Sequence, residues 1–145
     1  MAYDLTKEIN QILMTYADEV ELAALRIEEE VAKEAVKKLN KTSPVNPHSH
    51  GRKGKHYQKD WYVDNRNKKH YSHIIIANRQ YQLTHLLEKG HDIVRNGVKV
   101  GRSKAIPHIK PVEQWAKDAV VDRLEFWLHA QRKANLPKIV IEFKG

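Results

Sequence analysis

The chain has 145 residues, 41% hydrophobic and 30% charged, with no cysteine and a formal net charge of +8. That is the usual size of one domain with a modest core, and a core this thin often leans on partner subunits. The absence of cysteine excludes disulfides, thiolate zinc sites and a cysteine nucleophile. The opening MAYDLTKEIN has an early acid and neither a basic nor an apolar leader region, and no run is long enough to span a bilayer. The expectation is a soluble protein made in the cytoplasm, without a membrane partner.

Residues 1–40 read as one long helix. Leu5, Ile9, Ile12, Leu13, Tyr16, Val20, Ala23, Ile27, Val31 and Ala35 recur every three or four positions, while Glu28, Glu29 and Glu30 fall mostly off that stripe as a solvated acidic face or an interface. Asp4 can cap its start, and Asn40 with Pro44 should end it. Such a helix is roughly 50 Å long, more than a small domain can cover; either it bends or part of its stripe packs on another subunit. Residues 1–40 hold nine acids and five bases, and residues 41–145 hold nine acids and 21 bases. A basic body can face nucleic acid, and it can equally face the acidic helix of another copy.

Residues 41–56, KTSPVNPHSHGRKGKH, lack apolar periodicity and are rich in Pro, Gly, Ser and Asn, which predicts a flexible basic loop. Its Lys41, Arg52, Lys53 and Lys55 are candidates for contact with a partner protein or with phosphate. Residues 57–145 then carry two strand-like runs, 57–65 and 69–77, joined by the polar NRNK as a hairpin. Next come a short helix from Tyr81 to Leu87 closed by Gly90, a basic loop, a helix over 110–134 with Pro111 in its first turn, and an alternating last strand, 138–144. On the later helix, Val112, Trp115, Ala119, Leu124, Trp127 and Leu128 form the predicted buried side. The fold class is α+β: a long N-terminal helix, a hairpin plus C-terminal strand in a small antiparallel sheet, and a second long helix on one face.

Catalytic chemistry finds little purchase. His85, Glu88 and His91 are three apart and His108 could join them, but the spacing is not the i, i+4 histidine pair of a zinc protease, and Gly90 ends the helix before His91. These residues are expected to pack and hydrogen-bond. His48 and His50 lie in the loop, Asp60 and Asp64 on a strand, and Gly51, Gly54, Gly97 and Gly101 lack the strand-to-helix setting of a phosphate loop. No enzymatic activity, metal or cofactor is expected.

Two segments resemble a known family. SPVNPHSHGRKGKHYQKDWYV is similar to a segment with SP, a basic stretch, TGKY and GW. IIIANRQYQLTHLLEKGH together with IPHIKPVEQWAKDAV is similar to YQLTHLLEKGH followed by PHI.PAEE. The shared positions are Tyr81, Leu83, Thr84, His85, Leu86, Leu87, Glu88, Gly90, His91, Pro107, His108, Ile109 and Pro111, and the likeness runs from about Ser43 to Val120. Lys53-Gly54 stands where the family has Thr-Gly. The family is that of the minor structural proteins that join head to tail in long-tailed bacteriophages, the neck or tail-completion proteins.

The resemblance implies a virion protein forming a ring, of six copies, at the head–tail junction. Its neighbours would be neck, connector or tail-tube proteins, with packaged DNA passing through the lumen without sequence specificity. The competing expectation is a basic nucleic-acid-binding protein using the loop and the aromatic residues Tyr57, Trp61, Tyr62 and Tyr71.

Overall fold

The computed structural model describes residues 5–46, 56–64 and 74–134. Helix α1, Leu5–Thr42, is one unbroken element of 38 residues, built largely from strong helix formers. At 1.5 Å per residue it runs roughly 57 Å. The stripe read from the sequence turns inward only in its second half, where Ala23, Ile27, Val31, Ala32, Ala35 and Leu39 are buried. The helix runs past Asn40, so Lys41 and Thr42 belong to it and not to the loop. Ser43 N–H donates to the Leu39 carbonyl (2.9 Å), adding a last turn before Pro44 stops the helix.

Tyr57–Lys59 is a 3-10 turn and not the start of a strand. It closes through Lys59 N–H to the His56 carbonyl and Asp60 N–H to the Tyr57 carbonyl. That turn drives the Tyr57 ring into the core and delays strand β1 to Trp61–Asp64. β1 pairs antiparallel with β2, Ile75–Asn78, with Trp61 opposite Asn78 and Asp64 opposite Ile75. The antiparallel pairing expected from two aromatic and β-branched runs is thus present, with the first strand starting at Trp61 and not at Tyr57.

Helix α2 spans Tyr81–Lys89 and α3 spans Ile109–Ala134. Between them lies the clearest departure from expectation. The stretch read as a basic loop is a second hairpin, β3 (Asp92–Arg95) and β4 (Val98–Arg102), with a bulge after Ile93. Its turn residues Asn96 and Gly97 both have positive φ, 51° and 77°. That is the Asn-Gly geometry whose twist suits a two-residue hairpin. Among the described residues the strands form two separate two-stranded sheets, β1–β2 and β3–β4. The predicted strand 138–144, the capping Asp4, the NRNK turn, and Arg52, Lys53 and Lys55 lie outside the described residues.

α3 packs against α1 in the opposite direction: Arg123 pairs with Glu34, while Lys38 lies 4.5 Å over the Trp115 ring nearer the start of α3. Ala35, Leu39, Tyr57, Trp61 and Val112 form the core, flanked by Val36, Ile76, Leu87, Ile109 and Trp115. Of the predicted buried side of α3, Val112 is fully buried and Trp115, Ala119, Leu124, Trp127 and Leu128 are half-buried. The fold is α+β, two long helices packed together with a small sheet against α1.

Candidate functional site

The LLEKGH and PHIKP segments meet at the junction of α2 and α3. The first four N–H groups of a helix have no partner within it. At the start of α3, one carboxylate from another helix takes three of them. Glu88 Oε2 accepts from His108 N–H (2.8 Å) and Ile109 N–H (3.0 Å), and Oε1 accepts from Lys110 N–H (3.0 Å). The fourth position is Pro111, which has no N–H to satisfy. A negative charge here also meets the positive end of the α3 dipole. Partial burial pulls the Glu88 carboxyl upward, but the three backbone donors together with His108 outweigh it and hold it below its ordinary value of 4.5.

His108 ties this cap to the core. Its side chain is fully buried. Nδ1 faces both the Ile106 carbonyl (2.8 Å) and Glu88 Oε2 (3.0 Å), two acceptors, so Nδ1 carries a proton. In the neutral ring, Nε2 then accepts from the Tyr57 hydroxyl at 2.8 Å. Burial, and after it the nearby Glu88 charge, raise the Tyr57 phenol above 10.0, although contact with Thr84 opposes them. Tyr57, Trp61 and His108 also meet edge to face, with ring centroids 5.6 to 6.2 Å apart.

Polar anchors surround that cluster. Trp61 Nε1 donates to Ser43 Oγ (2.8 Å), and Asn78 Nδ2 donates to the Tyr57 carbonyl (2.8 Å). Gln80 Nε2 and Arg79 both reach the buried Asp60 carboxylate. Sequence reasoning missed Tyr57, Ser43, Asp60 and Asn78 as partners, because their contacts join segments far apart in the chain.

Gly90 carries the turn out of α2 at φ 71°, and a Cβ there would stand 2.5 Å from the Ser103 carbonyl oxygen. Beyond it the hairpin base is closed on both sides. His91 and Ser103 exchange backbone and side-chain bonds, and Ile106 N–H donates to the Leu87 carbonyl. At this same end of β3, Lys99 and Arg102 grip Asp92 and lower its pKa.

The four candidate donors do not share a site. His85 is exposed on α2, His91 faces Ser103, Glu88 caps α3 and His108 is in the core. Among the described residues no group of three His, Asp or Glu is arranged to hold a metal. Tyr81, Leu83 and Leu86 are exposed, Leu87 and Pro107 flank the cap, and Lys41 is exposed at the end of α1. Glu28 is not a solvated face. It is half-buried and lines an apolar trough of about 400 Å³ with Val31, Ile76, Ala116 and Val120, while Glu29 is half-buried and Glu30 exposed.

Comparisons with protein families, with curated proteins and with solved structures give no match to this chain. No described helix is long and apolar enough to cross a membrane.

Proposed function

We propose that this protein is a structural, non-enzymatic component of a phage particle: one subunit of a ring at the head–tail junction. In the neck or as a tail-completion protein, it joins tail to head and surrounds the path of the packaged DNA. It is made in the host cytoplasm and has no cofactor. Two supports come from the sequence, the resemblance and the acidic–basic asymmetry of the chain.

One structural observation carries the reading. The apolar side of α1 continues through Leu5, Ile9, Ile12, Leu13, Tyr16 and Val20, yet none of these is fully buried. Leu5 and Leu13 are 45% and 59% exposed. Ile9, Ile12, Tyr16 and Val20 are half-buried, and a stripe that is core at one end and only partly covered at the other suits a subunit whose packing is completed by neighbours. The residues carrying the resemblance support it from the other side, because Glu88, His108 and Tyr57 spend their polar atoms on one another and on backbone, as a scaffold does.

The test is genetic and visual. Phage made without this protein should accumulate DNA-filled heads beside complete tails that do not join, seen by negative stain, and supplying the protein should restore joining. Normal particles without it would remove the proposal. The competing nucleic-acid reading forecasts tight binding of the purified protein to free DNA with a steep loss of affinity as salt rises.

A further inference from the structure

The β3–β4 hairpin has the least cover of any element among the described residues. Neither strand contains a fully buried residue, and Ile93, Val94, Val98 and Val100 are 39%, 58%, 63% and 56% exposed. Among the described residues the two strands pair only with each other. A lone two-stranded hairpin is marginal in water, and one carrying four exposed β-branched residues is a binding edge in search of a surface. Its register puts Asp92, Val94, Lys99 and Arg102 on one face and Ile93, Arg95 and Val98 on the other.

Charge says which surface. The hairpin and its flanks carry Lys89, Arg95, Lys99, Arg102 and Lys104 against the single acid Asp92. The first half of α1 has the opposite balance, with Glu8, Asp18, Glu19 and Glu21 against Lys7, around the partly covered apolar side just described. The two surfaces are complementary in sign and alike in their exposed aliphatic residues.

We propose that the β3–β4 hairpin of one subunit docks on the first half of α1 of a second copy. The contact cannot form within one chain. The hairpin is fastened at the end of the molecule where α3 begins, through His91–Ser103 and Ile106–Leu87, beside the core that contains Leu39 and Val112. From Leu39 back to Leu13 is roughly 40 Å along α1, and a five-residue strand spans only about 17 Å. Donor and acceptor surfaces at opposite ends make a head-to-tail interface, which repeats and closes into a ring if the rotation between neighbours closes. The inference rests on the ring proposed above and supplies its contact.

Two single variants of the full chain test it, each at an exposed position. Val98→Asp spoils the hairpin, and Leu13→Asp spoils the helix. Light scattering across a concentration series should show wild-type assembly. Each variant alone should associate about 30-fold more weakly, from burying an unpaired carboxylate, with an unchanged circular dichroism spectrum. Mixed together they should form a 1:1 dimer and nothing larger, because one retains an intact helix and the other an intact hairpin. Unchanged assembly of Val98→Asp, or no dimer on mixing, overturns the contact. A Leu13→Asp protein that loses stability but not assembly assigns that side of α1 to another segment of the same chain and also overturns it. Wild-type protein that stays monomeric at every concentration removes this contact, whereas the junction proposal stands or falls on the joining of particles.

Discussion

Removing the Glu88 carboxylate should show how far the start of α3 depends on it. In Glu88→Ala, the N–H groups of His108 and Ile109 lose their acceptor in part-buried positions, where water replaces a carboxylate poorly. The Lys110 N–H is exposed and can turn to solvent. Losing a cap costs about 0.5–2 kcal/mol, losing the charge at the helix N-terminus adds about 0.3–1, and a poorly satisfied donor adds about 1–3. These overlap, so a total of about 3–4 kcal/mol is expected, a fall in Tm of roughly 10 °C for a chain of this size. Glu88→Gln keeps an oxygen but loses the charge and turns an NH2 toward backbone donors; about 2 kcal/mol is expected.

The sign with pH follows from the lowered Glu88 pKa. A carboxyl held below its ordinary 4.5 in the folded state contributes stability above that value and loses it as pH falls through the folded value. The stability gap between wild type and Glu88→Gln should therefore be full at pH 7 and shrink progressively below about pH 4.5. Urea unfolding followed by tryptophan fluorescence, from buried Trp61 with half-buried Trp115 and Trp127, measures it. A loss under about 1 kcal/mol for Glu88→Ala, or a wild-type-to-Gln gap that does not narrow on acidification, would refute the reasoning.

Other expectations can be checked by the same unfolding assay. Gly90→Ala should cost about 2 kcal/mol or more, combining positive φ with the contact on Ser103, whereas Gly97→Ala, at φ 77° in open space, should cost only about 1. Tyr57→Phe should cost about 1–3 kcal/mol by orphaning His108 Nε2, and in wild type the Tyr57 phenol should be among the last to titrate, beyond pH 10, in ultraviolet absorbance. Because its pKa is raised, its contribution is whole below pH 10 and disappears as pH rises through the folded value. Ala35→Leu, at a position with no exposed surface, should overpack the α1–α3 seam and cost about 1–3 kcal/mol, read as a lower urea midpoint.

The long helices were legible because periodicity over dozens of residues averages out local ambiguity: α1 and α3 came within a few residues of their bounds. The β1–β2 hairpin was legible from its aromatic and β-branched residues. Its bounds were not, because a side-chain contact between distant segments, Tyr57 with His108, turns 57–59 inward before the strand begins. The β3–β4 hairpin has a sequence signal as well: DIVRNGVKV holds an Asn-Gly turn between β-branched runs, and that turn chemistry outweighs the lysine and arginine residues that give the stretch the look of a basic loop. Glu28 illustrates the opposite error, since a run of three glutamates looks solvated until α3 and β2 close over one of them.

The motif around LLEKGH and PHIKP was visible as an ordered pattern without a reaction, and the structure gives that pattern a mechanical sense. Each of its unusual residues answers one demand of the same junction. Gly90 lets α2 turn where a side chain would strike Ser103. Glu88 caps a helix that starts 21 residues later, and Pro111 has no N–H to leave unpaired in that first turn. His108 has two faces, one for the cap and one for Tyr57, so the start of α3 is fastened to the core as well as to α2. The chain between Glu88 and His108 must leave and return to within hydrogen-bond distance, and a hairpin closed at its base by His91 and Ser103 does so with little loop entropy to lose. The lock thus fixes the base of β3–β4 and leaves its strands and tip exposed. A rigid mount carrying an uncovered apolar hairpin presents a contact surface at low entropic cost, so the motif acts on function by holding that surface still.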